Sequence, residues 1–441
     1  MSRWQWWIIV AGSLCLTFLA LASIAGQKKN ITIVWAEWDP AKYLRELSKG
    51  FTKETGIGVT VVEIPWAQFQ DKVFTALAAR DPNYDIIIGD SQWLGRGAER
   101  KHYVELTDWM KKNVPIKDIY EPALVAYGEY PKGSGRYWAV PAEADAVGFA
   151  YRKDLLEDPK EKAAFQKKYG RPLTIPKTWE ELYQVAKFFT RPKRRLYGVA
   201  VYTGKQYDGV TMGFQQVMWS FGGDYGDPKT FQVEGYINGP DSVKALEFYV
   251  RLAKECMPPG SQNYYWSECL DAFKRGLVAM TMNYFAFFPG LLSEETNRYA
   301  KTTGFFMVPR GPKGHYISLG GQGLSVSAYS KNKDEALQYI KWFWQERVQR
   351  EWARLGGFTC HKKVLNSPDF LKATPYNPVF RDSMKLLKDF WAVPEYAELL
   401  DSCQRHLNAA IVGAKKPKEA LDAIAKEHTV IFRKAGRLKR Q

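Results

Sequence analysis

Gly135-Arg-Tyr-Trp-Ala-Val-Pro-Ala-Glu-Ala-Asp-Ala-Val-Gly-Phe-Ala-Tyr-Arg-Lys-Asp154 is the stretch of this 441-residue chain that decides its fold. The pattern predicts a short strand over 137–140 that a proline ends, and a second strand over 147–151. Between them lie small residues and two acids, Glu143 and Asp145. Small residues absorb the dihedral changes of a hinge, so this ribbon can lead the chain from one compact body into another. An acid on the ribbon would then lie at the floor of the cleft between the two bodies.

Tryptophans and polar side chains follow two predicted strands at their carboxyl ends. Ile31-Thr-Ile-Val-Trp-Ala36 is followed by Glu37-Trp38-Asp39, and Asp85-Ile-Ile-Ile-Gly89 is followed by Asp90-Ser91. Helical periodicity between these strands gives the alternation typical of an α/β fold with a mostly parallel sheet. Because open α/β sheets bind ligands at the carboxyl ends of their strands, we expect these side chains to face a binding cleft.

Length and composition indicate a folded chain with more than one core. A chain of 441 residues with 46% hydrophobic and 25% charged residues can bury two cores and is not expected to contain long disorder. The net charge is +16, and residues 415–441 carry nine basic residues against three acidic ones. For an exported protein we interpret this basic tail as solvated, or as weakly attracted to a membrane or an acidic partner, and not as a nucleic-acid site.

The N-terminus reads as an export signal. After Arg3 no charged residue occurs until Lys28, and the apolar run over 6–22 is followed by Ser23-Ile24-Ala25, a small-x-small cleavage pattern. This predicts a secretory signal peptide, although the uncharged span is also long enough for a membrane anchor. We therefore expect a periplasmic or otherwise extracytoplasmic protein.

Export implies an oxidising compartment, in which cysteines often pair. Outside the predicted leader the chain has four, Cys256, Cys269, Cys360 and Cys403, which permit three pairings. We favour 256–269 and 360–403 because each pair would join a local segment. Buried free thiols are the alternative.

Motifs for covalent or metal chemistry are missing from the sequence. It contains no P-loop, no G-x-G-x-x-G and no G-x-S-x-G, and its five histidines do not occur at metal-ligand spacing. Neither a cofactor nor a metal is expected. Glu143 and Asp145 could suggest a glycosidase pair, but acids two apart on an extended ribbon share a face, so a second acid such as Asp90 or Asp39 would be needed.

Three segments together carry a resemblance to a known family. The hinge stretch from Gly135, Tyr151-Arg-Lys-Asp-Leu-Leu156 and Pro176-Lys-Thr-Trp-Glu-Glu-Leu182 resemble, in order and spacing, the maltose-binding-protein-like group of extracellular solute-binding proteins of ABC transporters. The resemblance implies an α/β fold of the two-lobed periplasmic-binding-protein type (type II), in which hinge crossovers join two lobes. It also implies a non-enzymatic monomer that closes on a carbohydrate or polyol and delivers it to permease subunits.

The resemblance implies site positions residue by residue. Asp145 falls where the maltose-binding protein has its sugar-binding hinge glutamate, and the loop from Asp90 falls where the family places charged groups on the sugar. Tyr284, Phe285 and Phe287 fall near its stacking tryptophan, which is missing here. For each tryptophan below, a core position is an equally open interpretation. The expected ligand-binding residues are Trp35, Glu37, Trp38, Asp39, Trp66, Asp90, Ser91, Trp93, Glu143, Asp145, Tyr207, Asp208, Tyr284, Phe285, Phe287, Gly321, Gln322, Phe358 and Trp391.

The predicted division of the chain follows from these segments. A signal peptide or N-terminal anchor occupies 1–27, and the first lobe comprises 28–143 with a return segment at 318–345. The second lobe comprises 144–317 and 346–441, the latter helical with the basic tail.

Two alternatives to sugar binding stay open at this point. One is a phosphorylated polyol or other non-sugar solute, which would need a basic residue in the pocket, such as Arg96, Lys205 or Arg354. The other is a secreted glycoside-processing enzyme.

Overall fold

The computed structural model describes residues 29–438. The predicted leader at 1–27 lies outside the described residues, as do the last three residues of the basic tail. Within 29–438, no helix is both long enough and apolar enough to cross a bilayer.

Strands and helices alternate along the first half of the described chain, and helices dominate its end. The strands are β1 (Asn30–Ala36), β2 (Gly58–Ile64), β3 (Ile86–Asp90), β4 (Val140–Arg152), β5 (Tyr197–Ala200), β6 (Val278–Tyr284), β7 (Thr303–Met307), β8 (Ile317–Val326) and β9 (Leu387–Lys388). The helices are α1 (Asp39–Thr55), α2 (Trp66–Ala78), α3 (Leu94–Glu99), α4 (Thr107–Asn113), α5 (Glu121–Gly128), α6 (Lys153–Leu156), α7 (Pro159–Tyr169), α8 (Trp179–Phe189), α9 (Gly209–Phe221), α10 (Pro240–Cys256), α11 (Trp266–Lys274), α12 (Pro289–Leu292), α13 (Lys333–Phe343), α14 (Glu346–Leu355), α15 (Lys362–Leu365), α16 (Pro368–Ala373), α17 (Asn377–Ser383), α18 (Tyr396–Ile411) and α19 (Pro417–Lys434).

The strands form a continuous, curled sheet that belongs to both lobes. Its order is β2-β1-β3-β8-β4-β6-β5, with β7 paired to β4 and β9 to β8. In the first lobe β1 runs parallel to β2 and β3, and in the second lobe β5 runs parallel to β6, whereas β4 and β8 pair antiparallel. The amino-terminal half of β4 pairs with β8, and its carboxyl-terminal half pairs with β6 and β7. The predicted two-lobed α/β fold with hinge crossovers is therefore confirmed.

The predicted proline stop in the hinge stretch is wrong. Val140–Arg152 is one uninterrupted strand, buried along its whole length. A register shift between Pro141 and Glu143 accommodates the proline, which cannot donate a ladder hydrogen bond. Beyond it the Ala144 amide leaves the ladder and donates to the carbonyl of Phe358 at 2.8 Å. The hinge is thus a strand with one irregularity, and it passes from one lobe into the other.

The basic tail is a packed helix for most of its length, so its interpretation as a solvated tail is wrong up to Lys434. Helix α19 buries Leu421, Ile424 and Phe432. Beyond it, Arg437 forms ion pairs with Glu395 at 2.6 Å and with Glu99 of α3 at 3.1 Å. The apolar spacing on α19 fixes this helix, and its lysines lie on the outer face.

The lobe boundaries remain a prediction, and contacts near residue 346 favour a later one. On α14, Arg347 pairs with Glu54 of α1 at 2.6 Å. The Tyr120 amide donates to the carbonyl of Cys360 at 2.8 Å. Both contacts attach residues 346–361 to the first lobe. The chain would then enter the second lobe after residue 361 and not at residue 346.

The predicted disulfides are also wrong, because the four cysteines are free and buried. Cys256 ends α10 and Cys269 lies on α11. Cys360 lies beside the first lobe, whereas Cys403 lies on α18 with its Sγ 3.6 Å from His428 Nε2. Burial raises the pKa of each thiol, so they behave as small apolar core residues.

Candidate functional site

A cavity lies between the lobes where the carboxyl ends of both sets of parallel strands meet. Its volume is about 40 Å³, whereas one water molecule needs roughly 10–15 Å³ on the same measure. A sugar-sized solute therefore enters only when the lobes move apart. The cavity is lined by Trp38, Trp66, Asp90, Ser91, Gln92, Asp145, Asp208, Tyr265, Tyr284, Phe287, Leu319, Gly320, Gly321 and Gln322.

The first lobe contributes one or two side chains after each of its parallel strands. Trp38 follows β1, Trp66 opens α2 directly after β2, and Asp90 ends β3 with Ser91 next to it. The rings of Trp38 and Trp66 meet edge to face, with centroids 5.2 Å apart and planes at 89°. This pair forms a rigid aromatic corner beside the carboxyl group of Asp90.

The second lobe faces this corner with its own strand ends. Asp208 ends the loop after β5, Tyr284 ends β6, and Phe287 lies in the turn that follows. Tyr265 donates a hydrogen bond to Asp208 Oδ1 at 2.5 Å, and Phe287 stacks on Trp266 at 4.6 Å with planes at 9°. These contacts fix the acid and the ring before any solute arrives.

Hinge strands β4 and β8 form the floor of the cavity. Asp145 of β4 is paired with Gly320 of β8, and its Oδ1 accepts from the amides of Ala146 at 2.8 Å and Ala286 at 3.3 Å. A Cβ on Gly320 would lie 2.7 Å from the Tyr284 ring, so glycine lets that ring approach the floor. Gly321, next to it, has φ +93°, which favours glycine.

Burial raises the pKa values of three carboxyl groups that line the cavity, Asp90, Asp145 and Asp208, called the cavity carboxyls below. The pKa of Asp90 rises to about 6, because burial outweighs its hydrogen bonds from Tyr207 and Gln322. The pKa of Asp145 rises to about 8 and that of Asp208 to about 7, again through burial. Within the part of the chain that the structure describes, the lining contains no lysine or arginine. The cavity is therefore acidic without a counter-ion from the protein.

Four buried polar atoms on the lining have no hydrogen-bond partner among residues 29–438. Two are donors, the indole Nε1 atoms of Trp38 and Trp66. The others are the Ser91 hydroxyl and Gln322 Oε1, which is an acceptor. The amide nitrogen of the same Gln322 side chain, Nε2, donates to Asp90 Oδ1 at 2.6 Å. Such atoms also occur elsewhere among residues 29–438, as at Trp179 and Ser220, but the four at this cavity lie together around one empty space. Because unpaired buried polar atoms are costly, this clustering indicates a place where a solute completes them.

Side chains from the two lobes meet across the cleft. Tyr207, from the loop after β5, donates a hydrogen bond to Asp90 Oδ2, and its ring centroid lies 6.0 Å from that of Trp66. Trp38 and Phe287 lie 5.9 Å apart. The lobes are thus closed over the cavity, and its lid consists of aromatic side chains.

The structure brings most of the predicted site residues together. Ten line the cavity, and Tyr207 contacts two of them. Their role in ligand binding remains a prediction, because position alone does not establish contact with a solute. The ten are Trp38, Trp66, Asp90, Ser91, Asp145, Asp208, Tyr284, Phe287, Gly321 and Gln322.

Glu143, by contrast, does not line the cavity. Its Oε2 accepts from the Phe358 amide at 3.0 Å, and burial holds its pKa well above the usual range. The register of β4 against β8 is regular from Glu143 to Asp145, so what separates the two acids is their surroundings: the Phe358 backbone covers Glu143, whereas Asp145 faces the cavity. The two acids therefore do not form a pair at the cavity.

Several predicted aromatic residues lie in the core or elsewhere. Trp35 packs against Trp352, and Trp93 packs against Phe69 and Phe74. Phe285 and Phe358 both pack on Phe380 in the core. Trp391 lies elsewhere, where it lines a separate cavity of about 450 Å³ together with Phe231.

Two predicted acids lie at the surface. Glu37 is exposed, and Asp39 pairs with Lys42 at 2.9 Å, while Trp38 between them turns inward. Neither acid lines the cavity, because Glu37 lies in the bend after β1 and Asp39 opens α1.

Four lining residues were not predicted. Gln92 continues the loop of Asp90 and Ser91, a position that the strand-end argument could have included. Leu319 and Gly320 precede Gly321 in the predicted return segment at 318–345. Tyr265 precedes α11 and carries no sequence signal, because only tertiary contact brings it to Asp208.

Comparisons with known proteins agree with this architecture. The family model described as bacterial extracellular solute-binding protein matches residues 35–350. The chain is similar to the mannitol-binding protein of Pseudomonas aeruginosa, at 23% identity over 97% of this chain and 98% of that protein. It is also similar to a probable ABC transporter-binding protein of Deinococcus radiodurans, at 27% identity over 80% of this chain and 81% of that protein. Among solved structures, an ABC transporter solute-binding protein from Agrobacterium radiobacter in complex with ribitol aligns with TM-score 0.79 and 26% identity, over 92% of this chain and 99% of that one.

Proposed function

The chain belongs to the bacterial extracellular solute-binding proteins, and from this premise we propose that it captures a carbohydrate or polyol between its lobes and delivers it to an ABC transporter permease. The relatives named for mannitol and ribitol make polyols the first candidates. The proposal includes binding without chemical turnover.

The observation that carries the proposal is the mixed polarity of the four unpartnered atoms. A hydroxyl group both donates and accepts, so a polyhydroxylated solute can accept from Trp38 and Trp66 and donate to Gln322 Oε1. The Ser91 hydroxyl can do either. The indole and phenyl rings suit the C–H faces of the same solute.

Closure of the lobes supports capture and delivery. Tyr207 and Asp90 join the two lobes directly beside the cavity, so a solute held there contacts both lobes at once. A solute that binds the closed form better than the open form shifts the population towards closure. A permease can then recognise the loaded protein by the relative position of its lobes.

A phosphorylated polyol is disfavoured by the positions of the basic candidates. Arg96 lies over the ring of Phe74 at 4.2 Å, and Arg354 pairs with Glu351 at 2.6 Å. Lys205 is exposed and does not line the cavity. A phosphate beside the cavity carboxyls would face like charge.

The test is a thermal-shift screen of the purified protein against sugars, polyols and their phosphates, followed by calorimetry on the best hit. We expect a saturable melting shift that follows the excess of solute over its dissociation constant. Ser91→Ala should weaken binding, whereas Ser220→Ala should not, since Ser220 also has a buried unpartnered hydroxyl but lies on α9 away from the cavity. Equal affinity in both variants would refute the site. Product formed from the best hit would instead support a glycoside-processing enzyme.

For location and assembly we propose action outside the cytoplasm as a monomer. The family is described as extracellular. One cavity formed by two lobes of one chain needs no second copy. Whether residues 1–27 are cleaved or retained as an anchor is tested by N-terminal sequencing of the protein after export.

A further inference from the structure

The charge of the cavity is unbalanced. The lining contains three carboxyl groups, and within residues 29–438 it contains no basic side chain. Lys132 lies one step further out, where it pairs with Asp389 at 3.2 Å, and Asp389 in turn accepts from Gln92 at 2.6 Å. A neutral sugar would leave this imbalance in place.

The cavity carboxyls lie close together around one ring. Burial raises the pKa of Tyr284, and Asp208, Asp145 and Asp90 each raise it further, so all three lie near this phenol. Asp90 is 8% exposed and Asp145 is 2% exposed. Water therefore solvates their ionised forms poorly, so ionisation is expensive in the free cavity, and a cation that enters the cavity favours it.

The hydrogen bonds around these acids leave acceptors in excess. Both oxygens of Asp90 accept, from Tyr207 and Gln322, which fixes the carboxylate without neutralising it. Gln322 Oε1 and the Ser91 hydroxyl are additional buried acceptors without a partner among the described residues. A group that brings several N–H donors would satisfy them.

The aromatic walls suit a cation as well. Trp38 and Trp66 stand at 89° to each other, and Phe287 lies 5.9 Å from Trp38. Aromatic rings attract cations over their faces, and rings set at angles around one space are used to recognise ammonium groups. Carboxylates on one side and ring faces on the other thus favour a positively charged group.

We propose that the solute of this cavity is a hydroxylated compound carrying a protonated amine, an amino sugar or an amino alditol. The inference rests on the proposed function and narrows its solute class. The hydroxyl groups pair with the indole donors, and the ammonium group pairs with the cavity carboxyls and Gln322 Oε1.

The experiment compares matched solutes by calorimetry with the purified protein at pH 7.5. The pairs are glucosamine with glucose and 1-amino-1-deoxysorbitol with sorbitol, and N-acetylglucosamine serves as the uncharged control. An ammonium–carboxylate hydrogen bond predicts that at least one amine binds about tenfold or more tightly than its neutral parent. N-acetylglucosamine should lose this advantage. Neutral parents that bind as well as the amines would overturn the inference and leave the proposed function standing. If no member of either pair binds, the inference fails, and the wider panel alone decides the proposed function.

A substitution at Asp208 distinguishes the contribution of its charge to amine binding from that of its hydrogen bonds. Asp208→Asn should weaken the amine more than its neutral parent, whereas Asp401→Asn, at an exposed acid paired with Arg405 at 2.8 Å, should change neither. An equal loss for both members of a pair would overturn the inference. Unliganded melting curves check that each variant folds.

Proton release gives a second readout with the unmodified protein. An ammonium group lowers the pKa of neighbouring carboxyls, so at pH 6, where the free amine is already protonated and burial keeps Asp145 and Asp208 largely protonated, binding the amine should release protons and its neutral parent should release fewer. Calorimetry in two buffers of different ionisation enthalpy measures this number. Equal release for both would contradict an ammonium beside the cavity carboxyls.

Discussion

Replacing Asp145 with asparagine should make the protein more stable and the binding weaker at the same time. The substitution preserves shape, and the side-chain oxygen can still accept from the amides of Ala146 and Ala286. What it removes is the ability of this carboxyl to ionise, and with it one acceptor facing the cavity. A substitution that raises stability and lowers affinity identifies a residue that serves ligand binding and does not stabilise the fold.

The stability gain follows from the raised pKa of Asp145. Burial raises this pKa from 3.8 to about 8, so folding favours the protonated form. Stability is therefore full below about pH 4 and is lost as the pH rises towards 8. At about 1.4 kcal/mol per pH unit, the variant should gain at most about 4 kcal/mol in free energy of unfolding at pH 7. Denaturant unfolding without solute at pH 4 and pH 7 measures the gain, which should vanish at pH 4.

The loss of affinity is expected at pH 9, above the pKa of about 8 to which burial raises Asp145, because the carboxyl is then ionised and its charged acceptor is lost in the variant. A hydrogen bond to a charged group contributes about 1.5–3 kcal/mol, which corresponds to a dissociation constant roughly 10- to 150-fold larger. Calorimetry with the best solute of the screen measures it. Glu143→Gln is the matched control, because Glu143 is buried on the same strand with a raised pKa but does not line the cavity. It should gain stability and keep affinity. An Asp145→Asn protein that is less stable at pH 7 and binds normally would refute the reasoning.

Three further predictions concern the closed lobes, the pH and the thiols. Tyr207→Phe removes the hydrogen bond from one lobe to Asp90 of the other, so we expect a larger radius of gyration in small-angle scattering and about tenfold weaker binding; an unchanged radius and affinity would contradict this. Because burial raises the pKa values of Asp90 to about 6 and Asp208 to about 7, the stability gained by Asp90→Asn and by Asp208→Asn should grow from pH 4 up to each of these values, and a gain that does not change with pH would contradict this. Alkylation without reductant, followed by mass spectrometry, should modify the four described cysteines only after denaturation, whereas a disulfide would leave a pair unmodified.

The site residues that could be predicted from the sequence are those that follow the carboxyl ends of parallel strands. Trp38, Asp90 and Tyr284 lie where parallel strands end, and parallel strands bring their carboxyl ends to one edge. Helix boundaries with local chemistry are equally predictable: Thr178-Trp-Glu-Glu181 has the spacing of a capping box, and the structure contains one at these residues. Such features depend on near neighbours along the chain.

The errors concern features that depend on distant neighbours. Trp35 and Trp38 are three residues apart, yet one packs on Trp352 and the other lines the cavity, because the end of β1 decides which ring turns inward. Glu143 accepts from the Phe358 amide, which lies 215 residues further along the chain, so the sequence around Glu143 does not reveal this contact. Cysteine pairing likewise depends on tertiary distances that spacing along the chain does not contain.

The position of β8 has a consequence for how the chain matures. This strand, Ile317–Val326, sits between β3 and β4, which were made more than 160 residues earlier. Until Val326 has left the ribosome, the edge of Ile86–Asp90 lacks its neighbour and the hinge strand lacks its partner. Late, non-local pairing of this kind slows folding. A nascent chain that cannot close its first sheet does not reach its native fold until most of it has been synthesised, and a polypeptide that has not yet folded can still be threaded through a narrow channel.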